Sequence, residues 1–187
     1  MDKITKEMPM KRLMFLLFGV LMFAGCAGEK TIKDAEKQKT GGTMKFTSSA
    51  FKNSEKMPRK YTDDGQDVSP PLFISGVPPE AKTLVLIMDD PDAPGFTWDH
   101  WVVFNIPPDM REIKEGITPW GTAGVNSWGK TGYGGPAPPS GTHRYFFKLY
   151  AVDKVLELQE GASKTMIEMA MKGSIVAEAV LVVTYSR

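Results

Sequence analysis

The chain has 187 residues, of which 42% are hydrophobic and 24% are charged, a composition typical of a globular protein with its own core. Its formal net charge is only +1, so it lacks the basic surplus that sequence-independent nucleic-acid binding requires. A single cysteine excludes an internal disulfide framework and any metal site built from several cysteines. With two histidines in the whole chain, histidine chemistry is limited to one small group of residues.

The N-terminal segment has the pattern of a secretory signal. Residues 13–25 carry no charge and follow Lys11 and Arg12. As a helix they would extend about 20 Å, which is shorter than the roughly 30 Å hydrocarbon layer of a membrane. Small residues run directly into Cys26 and resemble a bacterial lipobox, so we expect cleavage before Cys26 and lipidation of its thiol. The alternative is a plain signal peptide followed by an incidental cysteine.

Residues 26–42 are predicted to be a tether. Among residues 27–42 seven side chains are charged, and Ile32 is the only large apolar one, so this segment cannot form a core. The predicted organisation is a signal peptide at 1–25, a lipidated cysteine with its tether at 26–42, and a folded domain at 43–187. Such a protein would be anchored to a membrane in the cell envelope, on its periplasmic or extracellular side.

The domain is predicted to consist mainly of β-strands. Short apolar runs bounded by Pro, Asp and Gly are typical of buried strands, and they occur at 83–88, 101–106, 144–152 and 176–185, with a weaker run at 43–49. Residues 163–172 have helical spacing that stops at Gly173. The segments 53–82 and 107–142 are rich in Gly and Pro and are predicted to be long loops. We therefore expect a β-sandwich with one or two short peripheral helices.

Two polar segments each lead into a predicted strand. Asp90 and Asp92 follow the run at 83–88, and His100 begins the next strand. His143 likewise begins a strand, directly after a loop rich in Gly and Pro. This parallel predicts that both histidines converge on one pocket. From the residues alone, turn-forming aspartates, structural histidines and core tryptophans remain equally open.

These motifs resemble those of the phosphatidylethanolamine-binding protein family, in its bacterial branch that is often called Raf kinase inhibitor-like. The resemblance rests on Asp90-Pro91-Asp92-Ala93-Pro94 with Trp98 and His100, on the stretch from Gly135-Pro136 to His143-Arg144-Tyr145, and on residues 61–65 with 69–72. It covers 43–187 and implies a β-sandwich with a small anion pocket. By motif position, the pocket residues would be Asp90, Asp92, Trp98, His100, Gly134, Pro136, His143 and Tyr145.

The implied pocket suits a small anion, either a phosphate monoester or a phospholipid headgroup. The imidazoles, the Tyr145 hydroxyl and the N–H groups around Gly134 are its expected donors. Asp90 and Asp92 are expected to orient the imidazole rings and to raise their pKa values. Relatives in this branch often have cysteine where Asp63 and Ala137 stand, so a thiol at the pocket edge is absent here.

Two other classes of function are alternatives to a binding module. Two aspartates and two histidines could serve a metal-dependent hydrolase, but no histidine pair has the spacing of a preformed zinc site and no Gly-x-Ser-x-Gly elbow occurs. The family name also implies an inhibitor or regulator of a partner enzyme, such as a protease or kinase-type partner, acting through the protein surface. The sequence predicts no catalytic residue, cofactor or metal, and it identifies no protein partner.

Overall fold

The computed structural model describes residues 43–187, which form two antiparallel β-sheets and one α-helix. The strands, in chain order, are β1 (Lys45–Ser48), β2 (Leu72–Ser75), β3 (Thr83–Asp90), β4 (Trp98–Ile106), β5 (Glu112–Ile113), β6 (Thr122–Ala123), β7 (Thr142–Val152) and β8 (Ile175–Ser186). The smaller sheet has the order β1-β2-β5, and the larger has the order β6-β4-β3-β7-β8. The helix α1 spans Lys164–Met171, and a single 3-10 turn spans Arg59–Tyr61.

The central strand β3 is buried at every residue, because each face of the larger sheet is covered by a different layer. On one face Leu84, Leu86 and Met88 pack in a core that also contains residues of the smaller sheet, such as Phe46 and Ile74. On the other face Val85 and Ile87 pack in a second core that includes residues of α1. Successive side chains of β3 point to opposite faces of the sheet, so one strand contributes residues to two separate cores.

The helix α1 covers its face of the sheet through both apolar and charged contacts. Ile167 and Met171 are buried, and the Ser163 hydroxyl caps the first turn by accepting the Met166 N–H at 3.3 Å. Such a cap contributes about 1 kcal/mol to helix stability. At the start of α1 the Lys164 ammonium donates to Asp89 at 2.7 Å, which fastens the helix to the end of β3.

Asp89 is the centre of a buried charge network on the helix side of the sheet. Its Oδ2 accepts from Lys148 and from Lys164, each at 2.7 Å, and Lys164 also donates to Asp99 at 3.0 Å. The Asp89 side chain is fully buried. Because a buried charge without a partner is costly, these lysines compensate the charge of the carboxylate through Oδ2, whereas Oδ1 has no hydrogen-bond partner within residues 43–187. The network joins β3, β4, β7 and α1.

The mainly β architecture with a short peripheral helix confirms the predicted fold class. Five of the predicted strands and the helix are present, with ends shifted by a few residues. The prediction of long loops at 53–82 and 107–142 was wrong in part, because these segments also contain β2, β5 and β6. These strands have two to four residues, too few to show periodicity, and they form by pairing with β1, β2 and β4.

The predicted signal peptide, the lipidation site at Cys26 and the tether at 26–42 lie outside the described residues. Within residues 43–187, no helix has the length and apolarity needed to cross a membrane.

Candidate functional site

Three adjacent strands of the larger sheet bring the predicted site residues to one end of it. Asp90 ends β3 and pairs with Trp98 at the start of β4, while β7 runs antiparallel on the other side and begins at Thr142. Between the pairs Met88–Trp101 and Asp89–Asp99, β4 has one residue more than β3, and that residue is His100. A β-bulge of this kind redirects a side chain locally, and here the imidazole reaches a cavity.

This cavity, here called the histidine pocket, has a volume of about 350 Å³. Its lining residues are Asp90, Ala93, Pro94, Trp98, His100, Trp128, Ala137, Pro138, Pro139, His143 and Tyr145. Five of the eight predicted pocket residues are thus brought together in one wall. The other three, Asp92, Gly134 and Pro136, do not line the cavity.

His143 and Asp90 form a buried pair at the inner end of the pocket. The His143 Nδ1–H donates to Asp90 Oδ2 at 2.7 Å, and the other carboxylate oxygen accepts the Asp92 N–H at 2.8 Å. Because Nδ1 is committed to Asp90, the neutral ring carries its lone pair on Nε2. Protonation of Nε2 would turn His143 into a donor without disturbing its bond to Asp90.

His100 is oriented by backbone rather than by a carboxylate. Its Nδ1–H donates to the Gly134 carbonyl at 2.7 Å, and the Gly134 N–H donates to the His100 carbonyl at 3.0 Å. Burial lowers the pKa of His100, and the hydrogen bond to Gly134 and the nearby charge of Asp90 offset only part of that effect. The prediction of a raised pKa was therefore wrong for His100, since Asp90 acts in the predicted direction but desolvation of the ring outweighs it.

Asp92 was predicted to orient an imidazole, and that prediction was also wrong. Its carboxylate instead accepts from three groups of Arg144, the backbone N–H at 2.9 Å, Nε at 2.8 Å and Nη2 at 2.7 Å. These bonds to Arg144 lower the pKa of Asp92 to about 2. Asp92 therefore fixes the start of β7 next to His143 rather than contacting the ring.

Gly135 and Pro136, in the Gly- and Pro-rich loop before β7, are held by hydrogen bonds to residues 63–67. Gly135 N–H donates to Asp67 Oδ1 at 2.6 Å, and Pro136 accepts the Asp63 N–H at 3.2 Å. A Cβ on Gly135 would lie 2.7 Å from Asp67 Oδ1, so only glycine allows this approach. Since the N–H groups of Gly134 and Gly135 are both used internally, their predicted role as ligand donors does not hold.

Two donors in the pocket wall have no hydrogen-bond partner within residues 43–187. They are the Tyr145 hydroxyl and the Trp98 Nε1–H, and both atoms are buried. Burial and the neighbouring Asp90 carboxylate raise the pKa of Tyr145, so its hydroxyl stays protonated, but this carboxylate does not lie in good hydrogen-bond geometry with it. Buried polar atoms without partners are uncommon in folded proteins, and a ligand in the cavity is one way to satisfy them.

Sequence reasoning missed Trp128 and Asp67. Trp128 lines the pocket with its ring 5.3 Å from that of Trp98 at 77°, and 5.1 Å from the His100 ring. The sequence gives one indication of this role, which is that Trp128 is an aromatic residue close to the Gly-rich loop. Asp67 has a positive φ of 53°, and nothing in its local sequence points to Gly135. In the described part of the chain, no three His, Cys, Asp or Glu side chains are grouped so that they could hold a metal ion.

These features define a class of two-sheet β-proteins whose larger sheet carries a small histidine-lined pocket at one end. The family model described as phosphatidylethanolamine-binding protein matches residues 47–186. The chain therefore belongs to the phosphatidylethanolamine-binding protein family, which confirms the resemblance found in the sequence.

Curated relatives and solved structures agree with this family membership. A UPF0098 protein of Methanothermobacter thermautotrophicus is 49% identical over 150 residues, which cover 77% of this chain and 99% of the relative. A UPF0098 protein of Pyrococcus abyssi is 42% identical over 188 residues and covers 95% of this chain and 99% of its own.

Two crystal structures share the fold. A phosphatidylethanolamine-binding protein homologue from Chlamydia trachomatis has a TM-score of 0.75 at 43% identity, covering 78% of this chain and 98% of that one. Escherichia coli YbcL, described as a new member of the mammalian family, has a TM-score of 0.73 at 28% identity, with 78% and 99% covered.

Proposed function

We propose that this protein is an exported, lipid-anchored member of the family that binds a phosphate-bearing or other small anionic ligand in the histidine pocket. One observation carries the proposal. Two imidazoles line the same cavity, each with Nδ1 committed to an internal acceptor, and neither Nε2 makes a hydrogen bond within residues 43–187. Protonation therefore creates two new donors without rearranging the site.

The charges around the pocket favour a small anion over a large polyanion. No lysine or arginine is among the lining residues described above, so positive charge in the cavity depends on the imidazoles. The Tyr145 hydroxyl and the Trp98 Nε1–H add neutral donors that have no other partner in the described chain. Asp90 offsets part of the positive charge, so we expect modest affinity for a phosphate group.

Binding should depend on pH with a defined sign. An anion is held by the imidazolium form, so its affinity should rise as the pH falls and should be higher near about pH 5.5 than near about pH 8.5. Because burial lowers the pKa of His100, the free protein resists charging this ring, and the bound anion must supply the compensating interaction.

Calorimetric titration of the full chain with inorganic phosphate and phosphoethanolamine, between about pH 5.5 and 8.5, tests the pocket. We expect His143→Asn to weaken binding about ten- to a hundredfold near pH 6, because it removes Nε2 while its amide can still donate to Asp90. His100→Asn should act similarly, and thermal melts check that both variants fold. Affinity that is independent of pH and unchanged in both variants would exclude the histidines from the site.

The anchoring part of the proposal is supported by the sequence alone, through the uncharged run that ends at Cys26. Intact-mass measurement of the protein from its native membrane should find diacylglyceryl on Cys26 as the mature N-terminus. Cys26→Ala should move the protein to the soluble fraction while phosphate affinity stays unchanged. An unmodified Cys26 in a soluble chain would contradict anchoring and leave the pocket proposal standing.

A further inference from the structure

The edge strand β8 is covered along only part of its outer side. It is the last strand of the larger sheet, and its inner side pairs with β7. Near its C-terminal end the segment 53–57 runs alongside it. The Ser54 N–H donates to the Val182 carbonyl at 2.8 Å, and the Thr184 N–H donates to the Glu55 carbonyl at 3.0 Å. Since backbone groups alternate between the two sides of a strand, the even-numbered residues of this stretch direct theirs to the outer side.

The preceding part of this outer side is free in the described chain. The ladder between β7 and β8 is regular up to the extra residue Val176, so Glu178 and Val180 are the next residues whose N–H and carbonyl groups point outward. None of these groups bonds to another residue among residues 43–187. The segment 177–181, bounded by the bulge on one side and by the covered stretch on the other, is here called the free edge.

The free edge carries little of the protection that exposed sheet edges usually have. Lysine, proline and bulges commonly prevent such an edge from pairing with another strand. The free edge has the sequence Ala-Glu-Ala-Val-Leu, so it contains no lysine or proline, and Glu178 is its one charged residue. The side chain of Val180 is 46% exposed. An edge of this kind accepts an added strand through main-chain hydrogen bonds.

The free edge is complementary to a second copy of itself. When two copies run antiparallel with Ala179 opposite Ala179, each Glu178 faces the Val180 of the other copy. These are hydrogen-bonded pairs, so they use every free outward group of both copies. Centring the pair on Glu178 would oppose two carboxylates, which is unfavourable. Centring it on Val180 would require the backbone of Val182, which Ser54 already occupies.

We propose that two copies of this protein associate through their free edges, antiparallel and centred on Ala179. The two five-stranded sheets then form one continuous sheet of ten strands. Residues 27–42 are a poorer occupant of this edge, because seven of their side chains are charged and Ile32 is their one large apolar residue, a composition that disfavours strands.

This inference goes beyond the proposed function and does not depend on it. Ala179 pairs with Leu149, which lies about 20 Å along β7 from His143, so the association leaves both histidine pockets open. With five residues from each copy, the interface is smaller than the roughly 1,200 Å² of a stable complex, and we expect weak association. Anchoring of both copies in one membrane would raise their local concentration and favour the pair.

Cysteine cross-linking locates the pairing. The full chain with Cys26→Ala is oxidised in detergent solution after a single cysteine is introduced at residue 179, 180 or 109. Directly opposed residues of a non-hydrogen-bonded pair have Cα atoms about 4.5 Å apart, within disulfide range, whereas diagonal residues are about 7–8 Å apart. Ala179→Cys should therefore give at least about fivefold more disulfide-linked dimer than Val180→Cys or the exposed control Asp109→Cys.

The uncharged run at 13–25 is common to all three variants, so association through it cannot produce a difference between them. An excess of dimer at Ala179→Cys over the other two positions would support the pairing. Equal yields at the three positions, or a larger yield at Val180→Cys, would overturn it.

A change of charge at residue 180 tests the same register without a cross-link. Each proposed dimer places residue 180 opposite Glu178 of the other copy twice. Val180→Lys should therefore lower the dimer dissociation constant about two- to tenfold, and Val180→Glu should raise it by a similar factor. Combining Val180→Glu with Glu178→Lys should restore the association. Sedimentation equilibrium of the full chain in density-matched detergent measures these constants.

Thermal melts accompany these variants, because Lys148 lies opposite residue 180 across the ladder between β7 and β8 and also responds to its charge. Only the proposed pairing predicts opposite effects of lysine and glutamate together with restoration in the double variant. A dissociation constant that changes in the same direction for both charges, or in neither case, would overturn the inference, as would a protein that stays monomeric in every variant.

Discussion

Asp89 and Asp90 are consecutive residues at the end of β3, and their carboxylates lie on opposite faces of the same sheet. Asp89 is fully buried against Lys148 and Lys164, and Asp90 is 3% exposed beside His143. Burial and pairing are therefore nearly equal on the two sides. The difference is the partner, because an ammonium stays charged at neutral pH whereas an imidazole gains or loses its proton there.

This comparison shows that a buried carboxylate is not by itself a sign of a binding site. On the helix side, burial alone would lower the pKa of Lys164, but Asp89 and Asp99 raise it on balance, so the network stays charged. On the pocket side, burial lowers the pKa of His100 and the cavity leaves donors without partners. The first arrangement holds the fold together, and the second is the one on which the proposed anion binding and its pH dependence rest.

The largest loss of stability is expected from a substitution of Asp89. We expect Asp89→Ala to lower the free energy of unfolding by about 3–5 kcal/mol, because it leaves buried lysine charge without its main partner. Phosphate affinity should stay within about twofold, since the network faces away from the pocket. Urea unfolding measures the loss, and Asp109→Ala, at an exposed position, is the matched control with little effect. A loss below about 1 kcal/mol would show that the network is not structural.

A smaller effect is expected at Asp67, behind the pocket. Asp67→Ala removes the acceptor of the Gly135 N–H and should cost about 1.5–3 kcal/mol of unfolding free energy. Because Gly134 orients His100, phosphate affinity should also fall several-fold, and the imidazole ¹⁵N shifts of His100 should change. Asp67→Asn keeps an oxygen acceptor and tolerates the positive φ, so it should recover most of both properties. Unchanged ¹⁵N shifts in Asp67→Ala would limit this residue to a purely structural role.

The smallest effect concerns the pH dependence of stability without ligand. Because the folded-state pKa of His100 lies below its unfolded value, the unfolded chain binds more protons, and the stabilising contribution is complete only above the unfolded pKa of about 6.5. The unfolding free energy should thus decline as the pH falls through about 6.5. His100→Asn should decline less steeply over this range, and Asp89→Ala should keep the wild-type slope. Equal slopes in wild type and His100→Asn would contradict the desolvation of this ring.

The sequence predicted those parts of the molecule that are encoded by local pattern. The apolar runs of β3, β4, β7 and β8 and the spacing of α1 each give a periodic signal, and the motifs identified five of the eleven residues that line the pocket. Asp92 could not be assigned correctly, because its choice of Arg144 over an imidazole depends on side-chain geometry across two strands. Asp67 and Trp128 lie in loops, where no hydrophobic periodicity in the sequence predicts which distant residue each one contacts.

The bulge in β4 bears on how this pocket can be gained or lost. Met88 pairs with Trp101 and Asp89 pairs with Asp99, so this end of the ladder would have no register shift if the residue between Trp101 and Asp99 were missing. That residue is His100, the extra residue of the bulge. Deleting its single codon would leave Trp98 and Asp99 opposite their present partners and would remove one imidazole. Because the residues on both sides of His100 already pair with β3, its deletion should change the pocket while the neighbouring side chains keep their present faces of the sheet.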